Sequence, residues 1–232
     1  MKKIFVSIIA LLAVSFGLSA QQQVKFSEDI NVSYGNKVFV VRPVSYLGYG
    51  YHLKSKDMRD EQNAFNSEFF INIMELAVRP ASWMSINLGV DYDLDQYRLD
   101  KNHLWGAEDN GSVWIRSSEN YKGIKYSRLN VHTFSIPLSL EFAAGKAAFR
   151  LGAAGEYNLP ATVKNKVVTD EGTSKYKAKG LPTKSLNYSF FGAISYGGLG
   201  VYVRYRPVYQ FEEKKGPQFT TLTIGAVLGL GF

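Results

Sequence analysis

Three histidines, His52, His103 and His132, are the residues of this chain that most readily suggest catalysis or metal binding. A His beside a Ser and an orienting carboxylate can activate that Ser to attack an ester bond, for example in a lipid. His132 precedes Thr133 and Ser135, but side chains three residues apart on a strand lie on opposite faces. No two His residues have the spacing of a metal site. The sequence therefore predicts no catalytic set, no metal site and no cofactor.

A spaced acidic set, Asp91, Asp93 and Asp95, could in principle bind calcium. A calcium loop would require a turn with a central Gly and a distal Glu. These three residues instead alternate with the apolar residues between Val90 and Leu94. We therefore interpret them as the polar face of a strand.

A basic segment forms a third candidate site. Residues 163–168 and 174–179 flank a turn at 169–173 and are expected to pair as a hairpin. Its Lys residues are Lys164, Lys166, Lys175, Lys177 and Lys179. They are either solvated or in contact with lipopolysaccharide phosphates. Nucleic acid is not expected as a partner, because no aromatic-rich basic face accompanies them.

The elements that position these residues show period-two alternation along most of the chain, which is typical of β-strands with two different faces. In the last strand, Leu222, Ile224, Ala226, Leu228, Leu230 and Phe232 share one face. A first strand is predicted over 38–53, and a second over 69–78 with a bulge near Met74. The polar faces carry charges of both signs, which should form an internal ion-pair network and fill the lumen: Asp91, Asp93, Glu141, Arg150, Glu156, Arg204 and Arg206. Alternatively, some of these side chains point into water near the strand ends.

The connections between strands alternate strictly in length. Those near 79–82, 143–146 and 197–198 are short, whereas those near 54–67, 100–127, 160–184 and 211–218 are long. Tight periplasmic turns and long external loops give this pattern in outer-membrane barrels, whose strands need about 9–11 residues. Two aromatic girdles are expected, one at the short-turn end (Trp83, Phe142, Phe149, Tyr196 and Phe232) and one toward the long loops (Tyr51, Tyr92, Tyr157, Tyr188 and Tyr209).

The first 20 residues have the features of a secretory signal peptide. Lys2 and Lys3 precede an apolar run from Ile4 to Phe16, and small residues follow up to Ala20. Cleavage is expected after Ala20, with Ser19 as the alternative, so the mature domain is 21–232. The formal net charge is +7, of which this leader carries two charges. The chain contains no Cys, which excludes a lipid-anchored Cys and disulfides.

These features predict an all-β fold, namely a closed antiparallel up-and-down transmembrane β-barrel of about eight strands. A soluble lipocalin-like protein is the alternative, since its strands also alternate. The Gly- and Tyr-rich strands and the final Leu228–Phe232 resemble the outer-membrane β-barrel proteins of Bacteroidetes, including the PorT-like group. The resemblance implies insertion by the barrel-assembly machinery through the C-terminal strand.

No motif specifies one function. The sequence favours a structural or interaction role through the external loops, in contact with outer-membrane lipid and with protein partners that it does not identify. A small porin-like channel or transporter and a lipid-modifying enzyme remain alternatives. A role in protein secretion would follow from fold analogy alone.

Overall fold

A computed structural model describes residues 29–34, 37–53, 66–108 and 111–230, and for residues 32–38 no side chains are described. The leader, Phe232 and most of the connection at 54–67 lie outside the described residues. The described ranges contain no helix, and thus none that could cross a membrane.

Eight antiparallel strands form a ring in which each strand pairs with two neighbours. They are β3 (Leu47–Leu53), β4 (Ser67–Ala81), β5 (Met84–Arg98), β8 (Gly123–Ala144), β9 (Ala147–Asn158), β12 (Leu186–Tyr196), β13 (Leu199–Arg206) and β14 (Thr221–Leu228). Pairing follows chain order, and β14 then pairs with β3 from Leu222↔Leu53 to Leu228↔Leu47. The all-β, antiparallel prediction is thereby confirmed.

Six further strands of the described ranges lie outside this ring. They are β1 (Ile30–Tyr34), β2 (Lys37–Pro43), β6 (His103–Ala107), β7 (Val113–Ser117), β10 (Ala161–Thr169) and β11 (Gly172–Leu181). The β1–β2 hairpin pairs with β4, the β10–β11 hairpin continues from the start of β8, and β6–β7 forms a separate two-stranded sheet. Two of the predicted long loops therefore contain hairpins, and the one at 161–181 agrees with the prediction.

The two ends of the ring differ as expected from the lengths of the connections. Tight turns at 82–83, 145–146 and 197–198 join strands at one end. The hairpins and the segment 207–220 connect strands at the other end. The ring strands β4, β5, β8, β9 and β12 have 15, 15, 22, 12 and 11 residues, which is longer than the ~5–6 residues usual in soluble sheets.

The faces of the ring strands are inverted relative to those of a soluble protein. Outward-facing Ile136 and Leu138 are 59% and 56% exposed, whereas inward-facing Glu141 and Arg150 are 0% and 2% exposed. β8 and β9 alternate between these two environments at almost every residue. The period-two prediction is confirmed, with the apolar side chains outside and the polar side chains inside.

The predicted first strand over 38–53 is wrong as a single element, because it divides into β2 and β3. Val44 has a φ of 48°, which turns the chain between them. The break lies opposite the bulge in β4, where the register shifts between Asn72 and Met74, as predicted. The two irregularities are joined by hydrogen bonds from Ser45 Oγ to Asn72 Oδ1 (2.6 Å) and from the Val44 amide to the Ile73 carbonyl (3.0 Å). An irregularity in one strand is thus matched by one in its neighbour.

Two glycines in β3 leave space for large aromatic side chains in the interior of the strand ring. A Cβ on Gly48 would lie 2.3 Å from the ring of Phe70, and one on Gly50 would lie 2.2 Å from Tyr202 Oη. Phe70 and Tyr202 pack edge to face with centroids 4.9 Å apart. The aromatic rings therefore use the space that side chains on β3 would otherwise occupy.

Candidate functional site

The first part of the charged interior lies near the short-turn end and is centred on Arg150. Arg150 donates from Nε to Glu141 Oε2 (2.6 Å) and from Nη1 to Glu75 Oε2 (2.5 Å). Arg42 donates to the other oxygen of Glu75 at 3.1 Å. All four side chains are buried. Among these four residues, two guanidinium groups face two carboxylates, and Asp29 adds a third carboxylate 3.5 Å from Arg42 Nε.

A second cluster, nearer the long connections, contains Arg204. Its Nη1 donates to Glu68 Oε1 (2.7 Å) and to Asp93 Oδ1 (2.5 Å), and its guanidinium lies 4.6 Å from the centre of the Phe70 ring. Tyr202 Oη donates to the second oxygen of Glu68 at 2.9 Å. These residues lie on β4, β5 and β13, which are not all neighbours in the ring, so the contacts cross its interior.

Arg206 continues this cluster toward the long connections. Its Nε donates to both oxygens of Glu156 (3.0 and 2.9 Å) and its Nη2 donates to Glu68 Oε1 at 2.7 Å. Its Nη1 is 3.4 Å from Asp95 Oδ1. Four carboxylates therefore surround Arg204 and Arg206, and this part of the interior has an excess of acidic groups.

A histidine and a tyrosine also enter this acidic region. His52 Nε2 lies 3.1 Å from Asp95 Oδ1, and its Nδ1 lies 2.8 Å from Thr223 Oγ1. Tyr46 donates to Asp91, whose Oδ1 also accepts from Asn72 at 2.6 Å. Inside the ring, each acidic group thus has a polar neighbour.

Two apolar clusters pack against the charged side chains of the interior. The cluster toward the long connections contains Tyr97, Leu99, Trp105, Val113, Leu129, Val131, Ala161, Val163, Leu181, Phe211 and Phe219, and we call it the external plug. A second cluster lies among the charged side chains, where the Tyr46 ring is 5.0 Å from the Arg150 guanidinium. It contains Tyr46, Phe70, Ala193, Tyr202, Val227 and Leu230. The described interior is filled by side chains and does not form a wide channel.

Hydrogen bonds attach the external plug to the sheet. The Trp105 amide donates to Ser127 Oγ (2.8 Å), and the Trp105 indole donates to the Tyr97 carbonyl (3.1 Å). Asn165 donates to the Trp105 carbonyl at 2.5 Å and accepts from Ser127 at 2.8 Å. The β6–β7 hairpin is therefore held by side chains of β8 and β10.

The seven charged residues predicted for the lumen are all buried on inward faces of the ring. Glu141 with Arg150, Asp93 with Arg204, and Glu156 with Arg206 form ion pairs. Asp91 lies beside Tyr46 and Asn72 and makes no ion pair among the described residues. Arg42, Glu68, Glu75 and His52 also face inward, which the sequence pattern did not predict. The division between β2 and β3 and the bulge at Met74 give the parity that places them inside.

The remaining histidines do not assemble a catalytic set in the described ranges. His132 lies on the outward face, where its Nδ1 is 2.5 Å from Tyr92 Oη. Ser135 faces inward and donates to Asp93 at 2.9 Å. His103 lies 2.7 Å from Asp100 in the second long connection. Within these ranges, no group of three or more His, Asp or Glu side chains is arranged to hold a metal ion.

The aromatic residues predicted for two girdles lie on outward faces or at the strand ends. Those placed toward the short turns include Trp83, which stacks on Phe142 with centroids 6.0 Å apart, together with Phe149 and Tyr196. Those placed toward the long connections are Tyr51, Tyr92, Tyr157, Tyr188 and Tyr209. Phe232 lies outside the described residues. These two groups would act as girdles only if the ring of strands crossed a membrane.

The predicted basic residues share one face of the β10–β11 hairpin. Lys164 lies directly opposite Lys177, and Lys166 lies opposite Lys175. Lys175, Lys177 and Lys179 are exposed, whereas Lys164 and Lys166 are partly exposed. The pKa of Lys177 is lowered, mainly because the positive charge of Lys179 lies nearby and with a smaller effect of Lys164. Like charges therefore crowd this face.

Comparison of the chain with protein-family models gives no match, and comparison with curated proteins gives none either. The likeness to Bacteroidetes outer-membrane proteins therefore depends on the sequence features alone.

Proposed function

We propose that this protein is an outer-membrane β-barrel that is exported with a cleaved leader and acts through its external hairpins. The single observation that carries the proposal is the inversion of the ring, with apolar side chains exposed outside and ion pairs buried inside. Exposed apolar patches on soluble monomers rarely exceed a few hundred Å². The ring strands all expose large apolar side chains on their outward face, as Ile136 and Leu138 do on β8. Such a face is suited to contact with lipid and not with water.

Closure of the ring follows from the same proposal. In hydrocarbon, every backbone N–H and C=O must be paired within the protein, so a spanning sheet cannot have an open edge. The pairing of β14 with β3 supplies hydrogen bonds where such an edge would otherwise lie. Eight strands enclose a space that side chains can fill.

The filled interior supports a structural or interaction role more than transport. Arg150, Arg204 and Arg206 bridge strands across the interior, and the external plug lies above them. A solute would have to disrupt buried ion pairs, and leaving one charge of such a pair unpaired costs about 3–5 kcal/mol. The parts left free to meet partners are the hairpins beyond the ring.

A lipid-modifying enzyme has less support than this role. His132 lies on the outward face, but its hydrogen-bond partner is the phenol of Tyr92, and the hydroxyl of Ser135 is directed inward. The group that would have to act as a nucleophile is thus separated from the His by the sheet.

Membrane fractionation combined with heat-modifiable gel migration tests the proposal directly. The folded protein should sediment with the outer membrane, resist extraction by carbonate, and migrate faster before boiling than after it. Recovery in the aqueous fraction would instead indicate a lipocalin-like soluble protein. Planar-bilayer recording then separates the roles, because a filled barrel should give no steady conductance, whereas a channel would give unitary current steps.

A further inference from the structure

A row of four cations crosses the outward face of the sheet beyond the aromatic residues. Arg98 of β5 lies opposite Arg128 of β8, Arg128 lies opposite Lys164 of β10, and Lys164 lies opposite Lys177 of β11. Directly paired residues on neighbouring strands share a face. All four side chains are therefore on the same side of the sheet as Phe134, and we call this set the cationic row.

The cationic row is electrostatically unfavourable as it stands. Like charges directly opposite one another on neighbouring strands destabilise a sheet. Among the described residues, none of the four forms an ion pair; Arg98 donates instead to Gln96 at 2.6 Å, and Arg128 lies over the ring of Tyr126 at 4.9 Å. In the same ranges, Arg128 Nε is buried without a hydrogen-bond partner. The row therefore has unused capacity to bind an anion.

Protection of a sheet edge does not account for the row. Lys residues on an edge strand prevent pairing with other chains, and β11 has such residues. However, Arg128 pairs with both Arg98 and Lys164, and Lys164 also pairs with Lys177, so these two residues are paired on both sides. Their charges have no edge to protect.

The side chains between the row and the apolar band change stepwise from polar to apolar. The next row down contains uncharged Gln96, Asn130 and Thr162. Below it lie Leu94 with His132, and then Tyr92 with Phe134. Aromatic residues at the boundary of the hydrocarbon followed by cations beyond it are typical of a membrane interface.

The height of the row agrees with the position of headgroup phosphates. A strand tilted by about 40° rises ~2.6 Å along the membrane normal per residue. An apolar band ~25 Å tall that starts at Phe142 would end near His132, about ten residues away. Arg128 would then lie about 10 Å above the band. Guanidinium and ammonium groups form strong charge-assisted hydrogen bonds with phosphate.

We propose that the cationic row binds the phosphate groups of an outer-leaflet glycolipid. This inference depends on the proposed function, since it requires the ring to span the outer membrane. It assigns the external face of β5, β8, β10 and β11 as the lipid-contacting side of the molecule, with phosphate monoesters as the recognised chemistry.

Native mass spectrometry of the full-length mature protein, folded in zwitterionic detergent micelles, tests the proposal. The probes are phosphorylated lipid A and the same lipid after chemical dephosphorylation. The wild-type protein should retain the phosphorylated lipid preferentially. The variant R98Q/R128Q/K164Q/K177Q should bind it at least about tenfold more weakly. Equal retention of the two lipids by the wild-type protein, or unchanged affinity of the variant, would overturn the proposal.

A control variant removes four other positive charges from the long-connection end. Lys101, Lys122, Lys184 and Lys214 are exposed and lie outside the row, so K101Q/K122Q/K184Q/K214Q should bind within about twofold of the wild-type protein. An equal loss in this variant would show that net charge, and not the row, controls binding. If the first variant fails to fold, K164Q/K177Q alters only the hairpin outside the ring and should give a partial loss of about fivefold.

Two further measurements distinguish a bound lipid from a soluble anion and test the barrel separately. Inorganic phosphate should displace the lipid only at concentrations far above those of the lipid itself; equal potency would assign the row to a soluble anion and overturn the lipid proposal. Heat-modifiable migration of the wild-type protein checks the barrel independently. A folded, membrane-inserted protein without a preference for phosphate refutes this inference alone, whereas a protein that stays in the aqueous phase refutes the proposed function as well.

Discussion

Arg150 on β9 reaches across the ring to Glu75 on β4, with its Nη1 2.5 Å from Glu75 Oε2, while its Nε contacts Glu141 on the adjacent β8. The guanidinium of Arg150 thus links β9 to its neighbour β8 and also to β4, which pairs with neither of them. Since all three side chains are buried, the ring must be narrow enough for opposite walls to touch. Its interior behaves as a polar core.

Replacement of Arg150 by Met should destabilise the protein by about 3–5 kcal/mol, because it leaves two carboxylates buried without their main partner. Urea titration of the protein in lipid vesicles, followed by tryptophan fluorescence and by the heat-modifiable band, measures the effect. The double variant R150M/E141Q should recover part of the loss, since it removes one charge of each sign and leaves Glu75 paired with Arg42. A single variant as stable as the wild-type protein would contradict the assignment of Arg150 as a bridge across the interior.

Alanine at Gly48 should destabilise the ring by about 1–3 kcal/mol, because its Cβ would lie 2.3 Å from the Phe70 ring and force that ring to move. Gly155 on β9 is the matched control, since a Cβ there would meet nothing within 4 Å. G155A should therefore change stability by less than about 0.5 kcal/mol. Equal effects of the two substitutions in the same urea titration would show that space around Phe70 is not the limiting factor.

The sequence alone allowed the inward and outward faces of most strands, and one ion pair, to be predicted. Period-two alternation predicts which charges face inward, and the tight turn at 145–146 places Glu141 directly opposite Arg150. The contacts of Arg150 with Glu75 and of Arg204 with Glu68 could not be predicted, because they cross the interior. Such contacts depend on the stagger of the strands around the ring, which local patterning does not encode.

The division of the first strand also required three-dimensional information. The residues from Val38 to Val44 are apolar except for Arg42, and Pro43 is tolerated in edge strands, so the pattern does not identify Val44 as a turn with a positive φ. The break is supported by Asn72, whose side chain accepts from Ser45 and donates to Asp91. A bulge in one strand was predictable from a shift in its apolar positions, whereas the matching break in β2–β3 left no such shift.

A charge placed on the outward face separates a membrane barrel from a soluble protein. Leu138 is 56% exposed and lies near the middle of the apolar part of β8 between His132 and Phe142, so L138R should be nearly neutral in water. In a bilayer midplane it should cost about 2–4 kcal/mol. Unfolding by urea in vesicles measures this cost.

The control for L138R is Y157R, at an exposed position nearer the long connections. It should cost only about 0–1 kcal/mol, because Arg is tolerated near the membrane interface. Equal and small effects of the two substitutions would favour the soluble alternative.

Asn165 should keep the external plug ordered without affecting the stability of the ring. N165L leaves the Trp105 carbonyl and the Ser127 hydroxyl without their partner, and the β6–β7 hairpin should then open more often. Limited trypsin digestion should cut faster after Lys101 and Arg116, while the ring strands stay protected. The exposed T173V serves as the control, and simultaneous loss of protection in the ring would show that the plug and the ring unfold together.

Neutralisation of Lys179 should raise the pKa of Lys177, since the charge of Lys179 is the main reason that this pKa is lowered. Lys177 in the wild-type protein then loses its proton at a lower pH than an isolated Lys, and K179Q should shift its titration upward. NMR titration of reductively methylated lysines measures both curves. K101Q removes an exposed charge from another connection and should leave the Lys177 titration unchanged.

Since phosphate would counteract the same repulsion, phosphorylated lipid A should also raise the pKa of Lys177. A titration that neither K179Q nor the lipid alters would mean that the charges on this face of β11 do not act on one another.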